Sequence, residues 1–175
     1  MAVTLAGCAS ARIPNTDVPD TTFNRGVIGF CERYRRAVET RDARALLALA
    51  SPRYFEDGGT PRGDDDYGYD GLQRLLGAWS DEVRQVRYEI RYRRVQLDPE
   101  HPDRVRVDFT FSGSYTLRRP TLDPPRPGAS LALAIDPVRE ATPVAVDDEL
   151  WFRRVADNRL ELERVGDDWR ILSGM

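Results

Sequence analysis

The sequence predicts an α+β domain in which three N-terminal helices pack into a strongly curved antiparallel β-sheet. Three observations predict it. Apolar residues recur at helical spacing in the first part of the chain, and from Val83 onward the period changes to two. Helices therefore come first and antiparallel strands afterward, an order that places the helices on one face of a sheet. A glycine, Gly113, interrupts the apolar row of a long strand, as a bulge or bend does when a sheet curls around a helix. With 175 residues, 41% of them hydrophobic, the chain is the size of one domain with a sizeable core.

The first helix is predicted between Phe23 and Thr40, where Val27, Phe30, Cys31, Tyr34, Ala37 and Val38 share a face and Thr22 or Asn24 supplies the cap. A short second helix runs from Asp42 to Ala50 and is ended by Ser51-Pro52. Tyr54-Phe55-Glu56-Asp57 leaves it as an extended piece. The glycine-rich run 58–63 and the acidic run Asp64-Asp65-Asp66 read as loop. Asp70 then caps a third helix, which carries Leu72, Leu75, Leu76 and Trp79 on one face.

In the first strand Val86, Tyr88, Ile90 and Tyr92 alternate with Arg87, Glu89, Arg91 and Arg93. Its hairpin partner alternates more regularly, with Val105, Val107, Phe109, Phe111, Tyr115 and Leu117 on one face. Residues 118–147 hold six of the twelve prolines and read as a long excursion, with a strand expected over Ser130–Ile135. Three short strands close the chain, Glu149–Val155, Arg159–Val165 and Trp169–Leu172, separated by Ala156-Asp157-Asn158 and Gly166-Asp167-Asp168.

Composition excludes several functions. All 26 basic residues are arginine, yet the net charge is −3, so nothing favours a polyanion partner. The arginines at 87, 91 and 93 point away from the aromatics between them, whereas a nucleic-acid platform needs both on one face; cross-strand pairs with Asp108 or Glu161 account for them. No nucleic acid is expected. The single histidine, His101, lies in a turn without cysteine neighbours, so no zinc site is expected. The acidic run lacks the glycine and closing glutamate of a calcium loop: counted from Asp64, the twelfth position is Leu75. No metal and no cofactor are expected. Cys31 belongs to the apolar face of the first helix and reads as core.

At the N-terminus, Leu5-Ala6-Gly7-Cys8 followed by Ala9-Ser10 resembles a bacterial lipobox, in which the cysteine carries the lipid after signal-peptide cleavage. The resemblance implies that Cys8 is the anchor, that residues 1–21 form a lipobox-like start and flexible tether, and that residues 22–175 form the domain. Membrane attachment is then through this lipid alone, and the location is the cell envelope, facing the periplasm; without the lipid it is the cytoplasm. Only four residues precede the motif, too few for a signal peptide, so the reading expects an upstream start or a trimmed sequence.

Arg33-Tyr34 with Thr40-Arg41-Asp42, Tyr54-Phe55-Glu56-Asp57, Leu160-Glu161-Leu162 and Gly166-Asp167-Asp168-Trp169-Arg170-Ile171 together resemble the nuclear transport factor 2-like superfamily, which includes SnoaL-like proteins. The resemblance runs from Phe23 to the last residue and implies a cystatin-like cone with a cavity between helices and sheet. It implies Trp79, Tyr88, Phe109 and Phe111 as binding residues for a small apolar ligand, and a homodimer through the outer sheet to which Tyr115 and Trp151 contribute. Function varies widely within the superfamily and does not follow from the fold. The leading reading is a non-enzymatic envelope lipoprotein domain that binds a small molecule or a protein. The alternative resembles ketosteroid isomerase or a dehydratase, with Asp57 as base, Tyr34 as hydrogen-bond donor, and Asp148 or Glu149 as the strand acid.

Overall fold

The computed structural model of the chain describes residues 11–59, 61, 63–118, 144–146 and 149–175. Three helices lead, α1 (Thr22–Glu39), α2 (Ala43–Leu49) and α3 (Tyr69–Glu82), with a two-stranded ribbon of β1 (Phe55–Glu56) and β2 (Tyr67–Gly68) between the last two. The main sheet follows: β3 (Val83–Leu97), β4 (Arg104–Arg118), β5 (Val144–Val146), β6 (Glu149–Val165) and β7 (Asp168–Ser173), all paired antiparallel.

The helices bury the stripes their periodicity predicts: Val27, Phe30, Cys31, Tyr34 and Val38 in α1, and Leu72, Leu76 and Trp79 in α3. Two caps differ from expectation. Thr21, rather than Thr22 or Asn24, caps α1, its Oγ1 accepting the Asn24 N–H at 3.1 Å. Gly68 occupies the cap position of α3 with no side-chain hydrogen bond, and Asp70 falls two residues later in the first turn, where a carboxylate still complements the helix dipole. Between α1 and α2, Arg41 adopts a left-handed φ of 55°, its guanidinium donates to the Val83 carbonyl, and Asp42 caps α2 through the Ala45 N–H at 2.8 Å. The Thr-Arg-Asp motif is therefore a helix-hairpin device.

The β3–β4 register shifts fall elsewhere than at Gly113. Register shifts lie in the β3–β4 pair, between Val83 and Gln85 and between Tyr92 and Arg94, while Gly113 pairs with Tyr88 and Arg154 in unbroken register. The glycine serves a neighbour: a Cβ there would stand 2.3 Å from the Tyr115 hydroxyl oxygen, because the Tyr115 ring lies over the position.

The strands expected at Glu149–Val155 and Arg159–Val165 are one 17-residue strand, β6, paired with β4 from Arg118↔Glu149 to Arg104↔Glu163. Asp157 accepts from the Thr110 hydroxyl at 2.6 Å, and Ala156 and Asn158 stand opposite Phe111 and Phe109. Fifteen residues of partner strand outweigh a local preference for a turn. The other edge of β6 is shared, by β5 over Glu149–Trp151 and by β7 over Glu161–Val165. The Ser130–Ile135 strand and most of the 118–147 excursion lie outside the described residues.

Tyr88, Tyr92, Phe109, Phe111, Tyr115, Leu160 and Leu162 face the helices and are buried, so alternation sorts the sheet as predicted. The outer arginines find different partners from those expected. Arg91 and Arg93 both bind Asp17, at 2.8 and 2.9 Å, and Arg87 binds Glu89 at 3.3 Å. Asp108 is engaged by Arg159 at 2.6 Å, and Arg106 lies 3.4 Å from Glu161.

Asp17 belongs to the segment expected as tether. From Ala11 that segment is folded: Arg12 bridges Pro19, the Asp17 N–H donates to the Tyr92 carbonyl at 2.9 Å, and Val18 is fully buried. It lies along β3 and belongs to the folded body. Cys8 lies outside the described residues. Among those described, no helix is long and apolar enough to cross a membrane.

Candidate functional site

The helices and the concave sheet meet around a small cavity lined by Tyr34 of α1, Trp79 of α3, Tyr88 of β3, Tyr115 of β4, Asn158 of β6 and Met175. It offers about 10 Å³ to the centre of a water molecule, room for about one water. Tyr34 and Tyr88 meet edge to face with centroids 6.3 Å apart. Burial pushes both hydroxyls, and that of Tyr115, well above the ordinary tyrosine range. The Trp79 indole, 1% exposed, has an Nε1–H without a hydrogen-bond partner among the described residues.

Met175 reaches this space because Gly174, at φ +89°, turns the chain inward. Three hydrogen bonds hold the turn. Gly174 N–H donates to Glu56 Oε2 at 2.7 Å, Asn158 Nδ2 donates to the Gly174 carbonyl at 3.1 Å, and Met175 N–H donates to the Tyr54 hydroxyl at 3.2 Å. Met175 is 2% exposed.

The carboxylate facing the tyrosines is Glu56. It accepts the Tyr54 hydroxyl at 2.6 Å. Its charge adds to burial in pushing up the hydroxyls of Tyr34 and Tyr54, and of Tyr67, which rises to about 12. Asp57, the expected base, is exposed and turned outward, its Oδ1 accepting the Gly59 N–H at 2.8 Å. The structure does not bring Asp57 and Tyr34 together. Alternation along the extended piece explains this: Tyr54 and Glu56 point in, Phe55 and Asp57 out. The same period-two reading, applied to residues 54–57, would have picked out Glu56. Asp148 lies outside the described residues.

Of the expected binding residues, Trp79 and Tyr88 line the cavity. Phe109 and Phe111 are buried core rings, in tilted contact with Tyr92 and Tyr88 at centroid distances of 6.4 and 5.5 Å. Tyr115, expected on the outer face for a dimer, is instead on the concave face and 3% exposed; Trp151 does face outward. Cys31 is fully buried, and burial pushes its thiol up. Among the described residues no group of three or more His, Cys, Asp or Glu could hold a metal ion. Sequence reasoning missed Met175 and Asn158, since neither side chain marks itself without the fold.

No protein-family model and no curated protein matches the sequence. Solved structures do match in shape. A protein of the NTF2-like family from Streptomyces avermitilis aligns with a TM-score of 0.57 at 15% identity, over 87% of this chain and 93% of that one. A ketosteroid isomerase-like protein from Erwinia carotovora aligns at 0.54 and 14% identity, over 87% and 93%. The fold is that of the nuclear transport factor 2-like superfamily. A type 2 hexachlorocyclohexane dehydrochlorinase shares this nuclear transport factor 2-like fold, at a TM-score of 0.55 and 12% identity over 87% of this chain and 82% of that one. At such identities the likeness concerns the fold alone.

Proposed function

We propose that this chain acts by binding rather than by catalysis, as a module of the bacterial cell envelope carried on a lipid at Cys8. The observation that supports the first half is the closed interior: the cone leaves room for about one water. A general base must reach the proton it removes. Asp57 is turned to solvent, and Glu56 already accepts from Tyr54 and Gly174. The lipobox-like residues Leu5 to Cys8 support the second half. Dehydratases and isomerases on this fold give the reading its competitor, and fold alone decides nothing between them.

Two measurements test the proposal. Expressed with its natural upstream region in a bacterial host fed labelled palmitate, the chain is expected in the membrane fraction with the label, and Cys8→Ser is expected to lose both; an unlabelled, fully soluble wild type overturns the envelope assignment. Incubated with a model enone-forming steroid, the purified chain is expected to give no turnover above buffer. Turnover that disappears in Glu56→Gln or Tyr34→Phe overturns the non-enzymatic assignment.

A further inference from the structure

Over most of the convex face of the sheet, arginines stand against carboxylates. Arg159 engages Asp108 at 2.6 Å, Arg106 reaches Asp98 at 2.7 Å and Glu161 at 3.4 Å, and Arg91 and Arg93 share Asp17. One row is built differently. The β3–β4 and β4–β6 registers set Arg87, Ser114 and Arg153 side by side, so that a hydroxyl stands between two guanidinium groups with no acid in the row. The row on one side of it, Gln85, Thr116 and Trp151, holds no acid either. The row on the other side, Glu89, Ser112 and Val155, holds one, and Glu89 lies 3.3 Å from Arg87 in a pair whose side chains are 66% and 79% exposed. Arg153 is exposed and has no ion pair among the described residues. Arg87, Glu89, Ser112, Ser114 and Arg153 line an open groove of about 340 Å³.

We propose that the Arg87–Ser114–Arg153 row binds one phosphate group, carried as an ester whose apolar body lies beside Trp151. Neighbouring strands are about 4.8 Å apart, so Arg87 and Arg153, separated by β4, start roughly 10 Å from each other. From that distance two long side chains close on a single anion from opposite sides, and each planar fork offers parallel N–H donors. Ser114 adds a hydroxyl donor from the floor. A carboxylate has two oxygens in one plane and fills one fork, whereas a tetrahedral phosphate presents oxygens to both forks and to the hydroxyl. Glu89 is the one repulsive group, and its exposed pair with Arg87 is weak enough to be displaced. A bare inorganic anion would leave the apolar neighbours unused: Trp151 and Val155 flank Arg153 on the same face and are 43% and 59% exposed. The site lies outside the cone and needs neither the Cys8 lipid nor the absence of catalysis.

The test titrates the full chain with phenyl phosphate and with inorganic phosphate, at an ionic strength held constant with sodium chloride, and follows the arginine Nε–H resonances. Saturable shifts are expected at Arg87 and Arg153, with phenyl phosphate about threefold tighter than the inorganic ion. Arg87→Gln and Arg153→Gln are each expected to weaken phenyl phosphate about tenfold. Glu89→Gln removes the competing carboxylate and is expected to tighten it about twofold. Arg91→Gln removes the same charge from the same face outside the row and is expected to leave the affinity unchanged. Trp151→Ala is expected to erase the preference for the ester.

Shifts that do not saturate, or that chloride reproduces, overturn the site, and the unmutated chain alone decides this even if a variant fails to fold. Equal weakening by Arg91→Gln and Arg153→Gln overturns it too, because diffuse charge then explains the binding. Equal affinity for the two phosphates overturns the ester assignment. Sedimentation of the chain alone covers the other possible occupant: a dimer through this face that excludes phenyl phosphate overturns the proposal. Flotation with phosphatidylglycerol vesicles names the source of the phosphate. Binding lost in Arg153→Gln assigns a lipid headgroup, while phenyl phosphate binding without vesicle binding assigns a soluble ester, and either result supports the site.

Discussion

The two faces of the β3–β4–β6 sheet are built from alternate residues of the same strands, yet their electrostatics are opposite. On the concave face rings pack on rings, and tyrosine hydroxyls are pushed up because burial penalises the phenolate. On the outer face arginines and carboxylates pair in water, and Asp17, between Arg91 and Arg93, is held down at about 2. One residue of offset decides which regime a side chain enters. Glu56 at the end of β1 and Asp57 just after it repeat the lesson: the inward acid accepts from Tyr54 and the outward one from the Gly59 N–H.

The contrast can be broken most severely from inside. Phe109→Ala removes a buried ring packed against Tyr92 and is expected to cost about 3–5 kcal/mol in urea unfolding; a loss under half of that would mean the concave face repacks freely. Gly113→Ala forces a methyl into the space of the Tyr115 ring and is expected to cost about 1–3 kcal/mol by the same assay. Neither change is expected to alter the salt dependence of stability.

Titration sharpens the contrast at both ends of the pH scale. The Tyr67 hydroxyl rises from 10.0 to about 12 in the fold, so the folded state holds that proton more tightly than the unfolded one. Its contribution is complete below pH 10 and is lost as pH rises through 12, and Tyr67→Phe is expected to flatten alkaline unfolding in that window. Asp17 moves the other way, from 3.8 to about 2. Its contribution is complete above pH 4 and is lost as pH falls through 2, so the stability difference between wild type and Asp17→Asn is expected to shrink steadily as pH is lowered from 4 to 2. The smallest effect belongs to Glu89→Ala, which breaks an exposed pair with Arg87 and is expected to change stability by about 0.5 kcal/mol or less.

Much of this fold is legible in the sequence because it is written in periods. The α1 and α3 stripes, the long β3–β4 hairpin and the inward aromatics of β4 all follow from spacings of 3.6 and 2. What could not be read depends on partners distant in sequence. Ala156-Asp157-Asn158 looks like a turn until β4 is alongside, and Arg91 and Arg93 cannot choose Asp17 over Asp108 until the chain start folds back. The candidate site was half legible: Tyr34, Tyr88 and Trp79 stand where helix and strand faces point. Residue type in the motif points to Asp57, whereas alternation along the extended piece turns Glu56 inward and Asp57 to solvent. Met175 carries no signal except through the Gly174 turn.

The folded start of the chain limits how the molecule can stand in its surroundings. Cys8 is three residues from Ala11, a reach of roughly 11 Å at full extension, and Ala11 is already fastened by its carbonyl to the Asp20 N–H. On the proposed reading, in which Cys8 carries an acyl group, so short a reach would hold the folded start of the chain close to the bilayer.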